Sequence, residues 1–261
     1  MILPVLDLMR GQIVRGIAGQ RDAYRPIKST LVQSPDPLAV AQAFRTQFGF
    51  NEFYLADLDA IQLGQPSPRV YQALQNDGFR LWIDAGLCTS QDATLASLLE
   101  ANAASIIVGS ESVEGPDELQ RIVQRAGVQR VVFSLDLKAG RPLGRADLWP
   151  QDDAWSIAEH AISALGIRRL IVLDLACVGV GAGIGTEALC VRLKEAFPAL
   201  QLIAGGGVRH IDDVKHLLSI GVDCVLVASA LHDGRLTPND IQSLQHYRRA
   251  EPRKRPVEDH P

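Results

Sequence analysis

The chain has 261 residues, of which 47% are apolar and 21% are charged, and its formal net charge is −4. This composition supports a sizeable core and excludes a disordered chain, and the negative charge excludes a general attraction to nucleic acid or an anionic membrane. No apolar run reaches the ~18 residues of a membrane span, and the apolar N-terminus lacks a basic region and is interrupted by Asp7. We therefore expect a cytoplasmic protein, and the four scattered cysteines fit free thiols better than disulfides or zinc.

Short apolar runs alternate with longer amphipathic stretches along the chain. The apolar runs predict buried parallel strands near 2–6, 53–56, 80–83, 105–108, 130–135, 169–173, 200–204 and 223–227. The intervening stretches predict helices near 36–48, 67–76, 90–102, 116–126, 153–165, 186–197, 210–220 and 238–247. Eight strands, each followed by a helix, predict one (β/α)8 TIM-barrel domain over residues 1–247, with an open doubly wound sheet as the alternative. The charged, proline-containing tail at 248–261 is expected to be poorly ordered.

Two predicted connections are long for a compact domain. One runs from Met9 to about Pro35 and the other from Lys138 to about Gln151, and each follows a strand that ends in Asp. Long loops inside compact domains are more often functional than accidental. We therefore expect both loops to contribute to a functional site.

The two halves of the sequence resemble each other. VLDLMRG at 5–11 is similar to SLDLKAG at 134–140, which places Asp136 at an offset of 136 − 7 = 129 residues from Asp7. Three further matches follow in the same order: LADL at 55–58 with VLDL at 172–175, WIDAGL at 82–87 with IAGGGV at 203–208, and VGS at 108–110 with VAS at 227–229. The ordered set indicates an internal half-barrel repeat of four βα units.

Aspartates recur where predicted strands end, at Asp7, Asp57, Asp84, Asp136 and Asp174. In a TIM barrel these ends share one rim, where catalytic groups lie, although a strand-end Asp can also simply cap the next loop or helix. Asp7 and Asp136 are the best catalytic candidates, because the repeat relates them and would place them on opposite sides of the barrel mouth. Two facing carboxylates can divide general acid and general base roles.

Glycine-rich segments form a second group of candidate site residues. GGGVRHIDD at 205–213 follows the seventh predicted strand, and LVASALHDG at 226–234 ends the eighth. The loops after these strands often bind phosphate in this fold, since glycine lets a ligand approach backbone N–H groups, although a tight turn without a ligand is the simpler alternative. In the first half, only Ala85-Gly86 and Gly109-Ser110 remain of this pattern.

Isolated polar and aromatic residues are weaker candidates. Cys88 and Cys177 would lie near the rim, but no motif histidine stands beside either, which favours ordinary free cysteines. His210 is expected to be a solvated residue at a helix N-terminus. Trp149 and Trp155 could cover a ligand ring, although packing is the more common role of tryptophan.

Together, the repeat, the aspartates on the first and fifth strands and GGGV after the seventh resemble the HisA/HisF family of histidine biosynthesis over roughly residues 1–247. The opening PVLDLMRGQIVRG is most similar to HisA-type phosphoribosylformimino-AICAR-phosphate isomerases. The segment VRGIAGQRDAYRPIKS, together with LADLDAI, is also similar to a related branch of unassigned activity in methanogens and methylotrophs.

This resemblance implies an isomerase that opens a ribose ring by an Amadori rearrangement. It places the two catalytic aspartates at Asp7 and Asp136. It places one phosphate site at Gly206, Gly207, Ala228 and Ser229, and the other at Gly86, Gly109 and Ser110. The implied partner is a phosphorylated small molecule, with no cofactor, metal, nucleic acid or membrane, and the oligomeric state stays open.

The sequence also departs from the family pattern after the sixth strand. Leu173 stands where the family usually has Thr, and Cys177-Val178 stand where it has Arg-Asp. Three alternatives to a HisA-type isomerase therefore remain. One is a related barrel enzyme acting on a monophosphorylated molecule, with one-carbon cofactor metabolism as the candidate pathway. Another is a phosphate-ligand binding protein without turnover, against which the two retained aspartates argue. The last is a HisF-like cyclase, which would need a polar channel that the sequence does not indicate.

The two predicted phosphate sites differ in charge and in shape. Asp84 and Ala85 occupy the positions that correspond to Gly205 and Gly206 in the repeat. An Asp adds a negative charge where a phosphate would bind, and an Ala disfavours a left-handed backbone. The sequence therefore predicts one strong phosphate site, at Gly206, Gly207 and Ser229, and a weak or absent one at Gly86 and Gly109.

Overall fold

The computed structural model of the chain describes residues 1–181 and 183–250. Eight parallel strands form its centre: β1 (Ile2–Met9), β2 (Glu52–Asp57), β3 (Arg80–Asp84), β4 (Ser105–Gly109), β5 (Val131–Lys138), β6 (Arg169–Asp174), β7 (Gln201–Gly205) and β8 (Cys224–Val227). Each strand pairs with the next, and β8 returns to β1, where Ile2 lies opposite Val225. The closed barrel confirms the predicted (β/α)8 fold and rules out an open sheet.

Helices connect the strands around the outside of the barrel. They are α1 (Pro37–Phe48), α2 (Leu58–Leu63), α3 (Pro68–Asn76), α4 (Ala93–Glu100), α5 (Gly115–Ala126), α6 (Ala154–Ser163), α7 (Glu187–Ala196), α8 (Ile211–Ser219), α9 (Ser229–His232) and α10 (Pro238–Ala250). All eight predicted helices are present. The sequence missed α2 and α9 because helices of six and four residues are too short to show a helical period. Helix α10 ends at Ala250, and the rest of the predicted tail lies outside the described residues.

Local sequence signals explain where the helices begin and end. Before α1, the Asp36 carboxylate accepts a hydrogen bond from the Ala39 N–H at 2.8 Å, and Pro37 occupies the first turn. Gly49 ends the same helix with a left-handed φ of +75°. These are an acidic N-cap and a glycine C-cap, which stabilise the two ends of a helix through different backbone groups.

The core has two layers, which follow from the alternation of side chains along each strand. Strand residues such as Phe53, Ile106 and Phe133 face outward and pack against the helices. Their neighbours, including Tyr54, Ile107 and Val132, belong to a second cluster inside the barrel. No helix in the described part of the chain is long and apolar enough to span a membrane.

The internal repeat is visible in the backbone after β1 and β5. Each strand turns back into a short antiparallel partner, Gln12–Arg15 after β1 and Arg141–Pro142 after β5. The two residues of each turn are left-handed: Arg10 and Gly11 have φ of +53° and +72°, and Ala139 and Gly140 have φ of +52° and +76°. Both are tight two-residue hairpins, and they lift the loops that follow Asp7 and Asp136 above the barrel mouth.

Candidate active site

Three of the five strand-end aspartates share one cavity at the carboxyl ends of the strands. Asp7, Asp84 and Asp136 line this cavity, which encloses about 900 Å³ including its solvent-filled opening. Arg21 and Glu111 line it as well, and apolar side chains such as Leu173 complete its wall. A concave, mostly apolar site with a few convergent polar groups is typical of small-molecule binding.

Asp57 and Asp174 are structural. The buried Asp57 carboxylate accepts hydrogen bonds from the backbone of Ala60 and Ser67 and from the Tyr71 hydroxyl. Asp174 accepts from the N–H groups of Ala139 and Gly140 at 3.0 and 2.8 Å, and it caps the turn that follows β6. The repeat relates these two residues as well, so it preserves a pair of structural carboxylates alongside the candidate catalytic pair.

Asp7 is the first of the two predicted catalytic residues. Burial raises the pKa of its carboxyl to about 6, against the opposing effects of the Arg21 charge and a hydrogen bond from the Gly16 backbone. A Cβ at Gly16 would lie 3.0 Å from Oδ2 of Asp7, so glycine leaves room for this carboxylate. With a pKa near 6, Asp7 is mostly ionised at neutral pH and can accept a proton.

Asp136 is the second predicted catalytic residue. Burial and then the negative charge of Asp84 raise the pKa of its carboxyl to about 8. The Ser134 hydroxyl donates to Oδ1 at 2.8 Å, and the Asp136 backbone N–H donates to Oγ of Ser110 at 2.9 Å. Asp136 is therefore mostly protonated at neutral pH and can donate a proton.

Asp84 is fixed from two sides. The Tyr54 hydroxyl donates to Oδ2 at 2.9 Å, and the Gly86 N–H donates to Oδ1 at 3.1 Å. Burial nevertheless raises the pKa of the Asp84 carboxyl to about 6. The sequence placed Asp84 among the strand-end aspartates and predicted that its charge would oppose a phosphate. The structure adds that this charge helps to raise the pKa of Asp136.

Arg21, Glu111 and Tyr24 are cavity residues that sequence reasoning missed. Arg21 lies in the long loop after β1, and its guanidinium donates to Glu111, which follows β4, at 2.7 Å. Burial and the charge of Asp7 raise the pKa of the Tyr24 hydroxyl to about 12, so it stays protonated. The length of the loop was the available signal, but it indicated the segment and not these side chains.

The glycine loop after β7 contributes to the lining of the cavity. Gly206 and Gly207 have φ of +86° and +83°, and a Cβ at Gly207 would lie 2.0 Å from the Gly183 carbonyl oxygen. Ala228 and Ser229 lie on the same wall. The Arg235 guanidinium, which sequence reasoning also missed, donates to Oγ of Ser229 at 3.2 Å. This wall combines glycine backbone, a hydroxyl and a nearby cation, a combination suited to a phosphate.

The corresponding residues of the first half have other surroundings. Gly86, Gly109 and Ser110 are not among the residues that line the cavity. A Cβ at Gly86 would lie 2.6 Å from Cα of Ile61, and one at Gly109 would lie 2.8 Å from Oδ2 of Asp136. These glycines leave room for helix α2 and for the candidate catalytic carboxyl.

The weaker candidates lie outside the cavity or serve in packing. Cys88 is exposed, and Cys177 is partly buried. His210 precedes α8 with its side chain 56% exposed. Trp149 packs against Phe133 with 5.5 Å between ring centroids, and Trp155 stacks on Phe197. In the described part of the chain, no group of three or more His, Cys, Asp or Glu side chains is arranged to hold a metal ion.

Comparison with known protein families identifies the family of this chain. The family model described as "Histidine biosynthesis protein" matches residues 1–237. The chain belongs to this family. The match covers all eight barrel strands and both glycine-containing loops, and it confirms the family resemblance drawn from the sequence.

Individual relatives are similar over nearly their whole length. A 1-(5-phosphoribosyl)-5-((5-phosphoribosylamino)methylideneamino) imidazole-4-carboxamide isomerase of Leuconostoc mesenteroides is 29% identical over 94% of this chain and 99% of its own length. An isomerase of the same name from Klebsiella pneumoniae is 29% identical over 94% and 100%. An uncharacterised protein of Methanocaldococcus jannaschii is 28% identical over 92% and 96%. The chain is thus similar both to named isomerases and to a protein without an assigned activity.

Proposed function

We propose that this protein is a HisA-type sugar-phosphate isomerase, which converts a phosphoribosyl-linked aminoaldose into the corresponding aminoketose by an Amadori rearrangement. The observation that carries the proposal is the pair Asp7 and Asp136. They are equivalent in the repeat, line one cavity, and have pKa values raised to different levels, about 6 and about 8. Carboxyl groups with separated pKa values are suited to opposite roles in proton transfer.

The first step is ring opening. The protonated carboxyl of Asp136 donates its proton to the ring oxygen while the bond from that oxygen to C1 breaks. The nitrogen lone pair forms the C1=N bond, which leaves a protonated Schiff base and the Asp136 carboxylate. A buried acid with a pKa of about 8 holds this proton at neutral pH and releases it to a developing alkoxide.

The second step is proton transfer from C2. The Asp7 carboxylate removes the C2 proton, the electron pair of the C–H bond forms C1=C2, and the C1=N electrons return to nitrogen. The resulting enolamine takes a proton at C1 from the Asp7 carboxyl and loses the proton of its C2 hydroxyl, which returns through solvent to Asp136. The product is a ketone, and both carboxyls are back in their starting states. The two reaction steps balance in atoms and electrons without an oxidant, reductant or cofactor.

Binding of the phosphate holds the reacting carbons between the two carboxyls. We assign the phosphate to the wall formed by Gly206, Gly207, Ala228 and Ser229. Glycine backbone and the Ser229 hydroxyl can donate to it, and the guanidinium of Arg235, which is also paired with Asp233 at 3.0 Å, lies beside Ser229. Positioning by a group that does not react is an effective use of binding energy in catalysis.

A second candidate function is favoured by Asp84, a cavity-lining carboxylate at the position that corresponds to Gly205 in the repeat, where its charge opposes a second phosphate. A related isomerase that acts on a monophosphorylated molecule would use the same two aspartates and the same phosphate wall. Leu173, which lines the cavity where the family pattern has Thr, also fits a substrate different from that of the named relatives.

A direct assay tests the proposal. The purified protein is incubated with the substrate of the named relatives and with simpler N-substituted 5-phosphoribosylamines, and the aminoketose product is followed by NMR. We expect ketose formation from at least one of them, and its loss in Asp7→Asn and Asp136→Asn. No ketose from any aminoaldose phosphate, with folded protein, would exclude an isomerase and favour a binding protein without turnover.

A further inference from the structure

The loops after β3 and β7, called here the first-half end and the second-half end of the site, are equivalent in the repeat but opposite in chemistry. At the second-half end, Gly205, Gly206 and Gly207 follow one another after β7. At the first-half end, their counterparts are Asp84, Ala85 and Gly86. The names of the isomerase relatives specify two phosphoribosyl groups, and hence two phosphates. A substrate of that kind requires anion binding at both ends.

The backbone differs between the two ends. Among the described residues, Gly206 has a φ of +86°, whereas Ala85 is not among those with positive φ. Ala85 is 3% exposed and belongs to the core. Its peptide therefore does not adopt the conformation of its counterpart, and the first-half end lacks the pair of consecutive left-handed residues found at Gly206 and Gly207.

The donor that remains at the first-half end is already in use. The Gly86 N–H donates to Oδ1 of Asp84, and the Tyr54 hydroxyl donates to Oδ2. The carboxylate of the chain itself thus occupies the hydrogen-bonding capacity that a phosphate would need. Gly86 also packs closely on helix α2, since a Cβ built on it would lie 2.6 Å from Cα of Ile61.

The charged side chains around Asp84 also disfavour a phosphate at the first-half end. Three carboxyl groups, from Asp84, Glu111 and Asp136, line this part of the cavity wall, and Arg21, which is paired with Glu111, is the one cation among the described lining residues. Because Asp136 holds its proton and Glu111 is paired with Arg21, the Asp84 carboxylate is the charge that remains there. It repels a phosphate dianion and attracts an amine or another group with N–H donors.

We propose that Asp84, held by Tyr54 and Gly86, is a specificity-determining residue that excludes a second phosphate and accepts a neutral or cationic, N–H-donating end of the substrate. The substrate class is then a monophosphate: a 5-phosphoribosylamine whose nitrogen substituent carries no phosphate. This inference rests on the proposed function, because it assigns the phosphoribosyl end to the Gly206–Gly207 wall.

Counting bound anions tests the inference without any need for turnover. Crystals of the wild type and of the repeat-restoring double variant Asp84→Gly/Ala85→Gly are soaked in sulfate. We expect one sulfate in the wild type, at Gly206, Gly207 and Ser229, and a second one at Gly86 in the double variant. Two sulfates in the wild type, or one in both proteins, would overturn the inference even if the protein proves to be an isomerase.

Substrate preference provides a second test that does not depend on refolding of the altered loop. Asp84→Asn keeps the shape of the side chain and removes its charge, and Asp147→Asn, at an exposed carboxyl paired with Arg145, is the matched control. The ratio of kcat/KM for a cationic over an anionic nitrogen substituent is expected to fall roughly tenfold or more in Asp84→Asn and to stay unchanged in the control. An unchanged ratio in Asp84→Asn would contradict the assignment, whereas an absence of turnover in every protein would contradict only the proposed isomerase.

Discussion

Gly109 lies against the carboxyl group of Asp136, so closely that a Cβ on Gly109 would come within 2.8 Å of Oδ2. The repeat suggested a phosphate ligand at this glycine, but its immediate neighbour is the candidate general acid. The Ser134 hydroxyl holds the other oxygen of the same carboxyl. The orientation of Asp136 therefore depends on the absence of a side chain on the neighbouring strand.

Gly109→Ala is expected to displace the Asp136 carboxyl and to reduce kcat by up to about 10²-fold, the scale of a catalytic group misplaced by about 1 Å. Steady-state kinetics and thermal melting measure the two consequences. Gly185→Ala is the control, because a Cβ there would meet the Cys177 Sγ at 3.3 Å rather than a candidate catalytic group. Equal activity losses in the two variants would show that the effect is not specific to Asp136.

Asp7→Asn and Asp136→Asn are each expected to reduce kcat by about 10²–10⁴-fold, the usual contribution of one general acid or base. Both variants should keep the fold, since Asn has nearly the same shape. Circular dichroism checks the fold and product formation checks the rate. Turnover within a few-fold of the wild type in both single variants would rule out this pair as the proton-transfer groups.

The pH dependence of kcat/KM should be bell-shaped. Asp7 must be ionised, so activity falls below its pKa of about 6, and Asp136 must be protonated, so activity falls above its pKa of about 8. Arg21→Gln removes a charge that lowers the pKa of Asp7, which moves the acidic limb to higher pH. Arg25→Gln, on the same loop but bonded to backbone carbonyls, is expected to leave the profile in place.

Asp136→Asn should stabilise the protein at high pH. The folded-state pKa of this carboxyl is raised to about 8 from an unfolded value of 3.8, so folding favours the protonated form. The wild type therefore loses this contribution as pH rises through about 8 and retains it fully below about 4, whereas Asn is always neutral. Urea unfolding at pH 9 should show an advantage for Asp136→Asn on the order of a few kcal/mol, shrinking toward zero at pH 4. An advantage that is independent of pH would contradict the burial of a charge as its cause.

Asp57→Ala separates a structural carboxylate from a catalytic one. The substitution leaves the Ser67 N–H and the Tyr71 hydroxyl without the acceptor they share, and it should cost about 1–3 kcal/mol of unfolding free energy. Its effect on kcat should be far smaller than that of Asp7→Asn, because Asp57 does not line the cavity. A loss of activity as large as in Asp7→Asn at full stability would assign Asp57 to the chemistry instead.

The barrel was predictable from the sequence because every strand is a short apolar run and every longer helix shows its period. Asp7 and Asp136 could be selected because the repeat singled them out, and the glycine loop at 205–207 because its composition is unusual. Arg21 and Glu111 could not be selected in this way. They lie 90 residues apart in loops without periodicity, and only the closed barrel brings them to a 2.7 Å contact. Tyr54, whose hydroxyl donates to Asp84, could not be selected either, because in the sequence it looks like an ordinary strand residue.

The closure of the barrel also determines the order in which the backbone of β1 can find its partners during translation. One edge of β1 is shared: Asp7–Met9 pair with the hairpin strand Gln12–Arg15, while Ile2–Pro4 pair with Val225–Val227. Asp7–Met9 can form their backbone hydrogen bonds as soon as the hairpin strand Gln12–Arg15 emerges from the ribosome. Ile2–Pro4 can pair only after β8 has been synthesised, roughly 10–40 s later at ordinary rates of translation. Until then Ile2–Pro4 lack the strand partner that they have in the folded barrel, and this end of β1 is where premature pairing with another chain would begin.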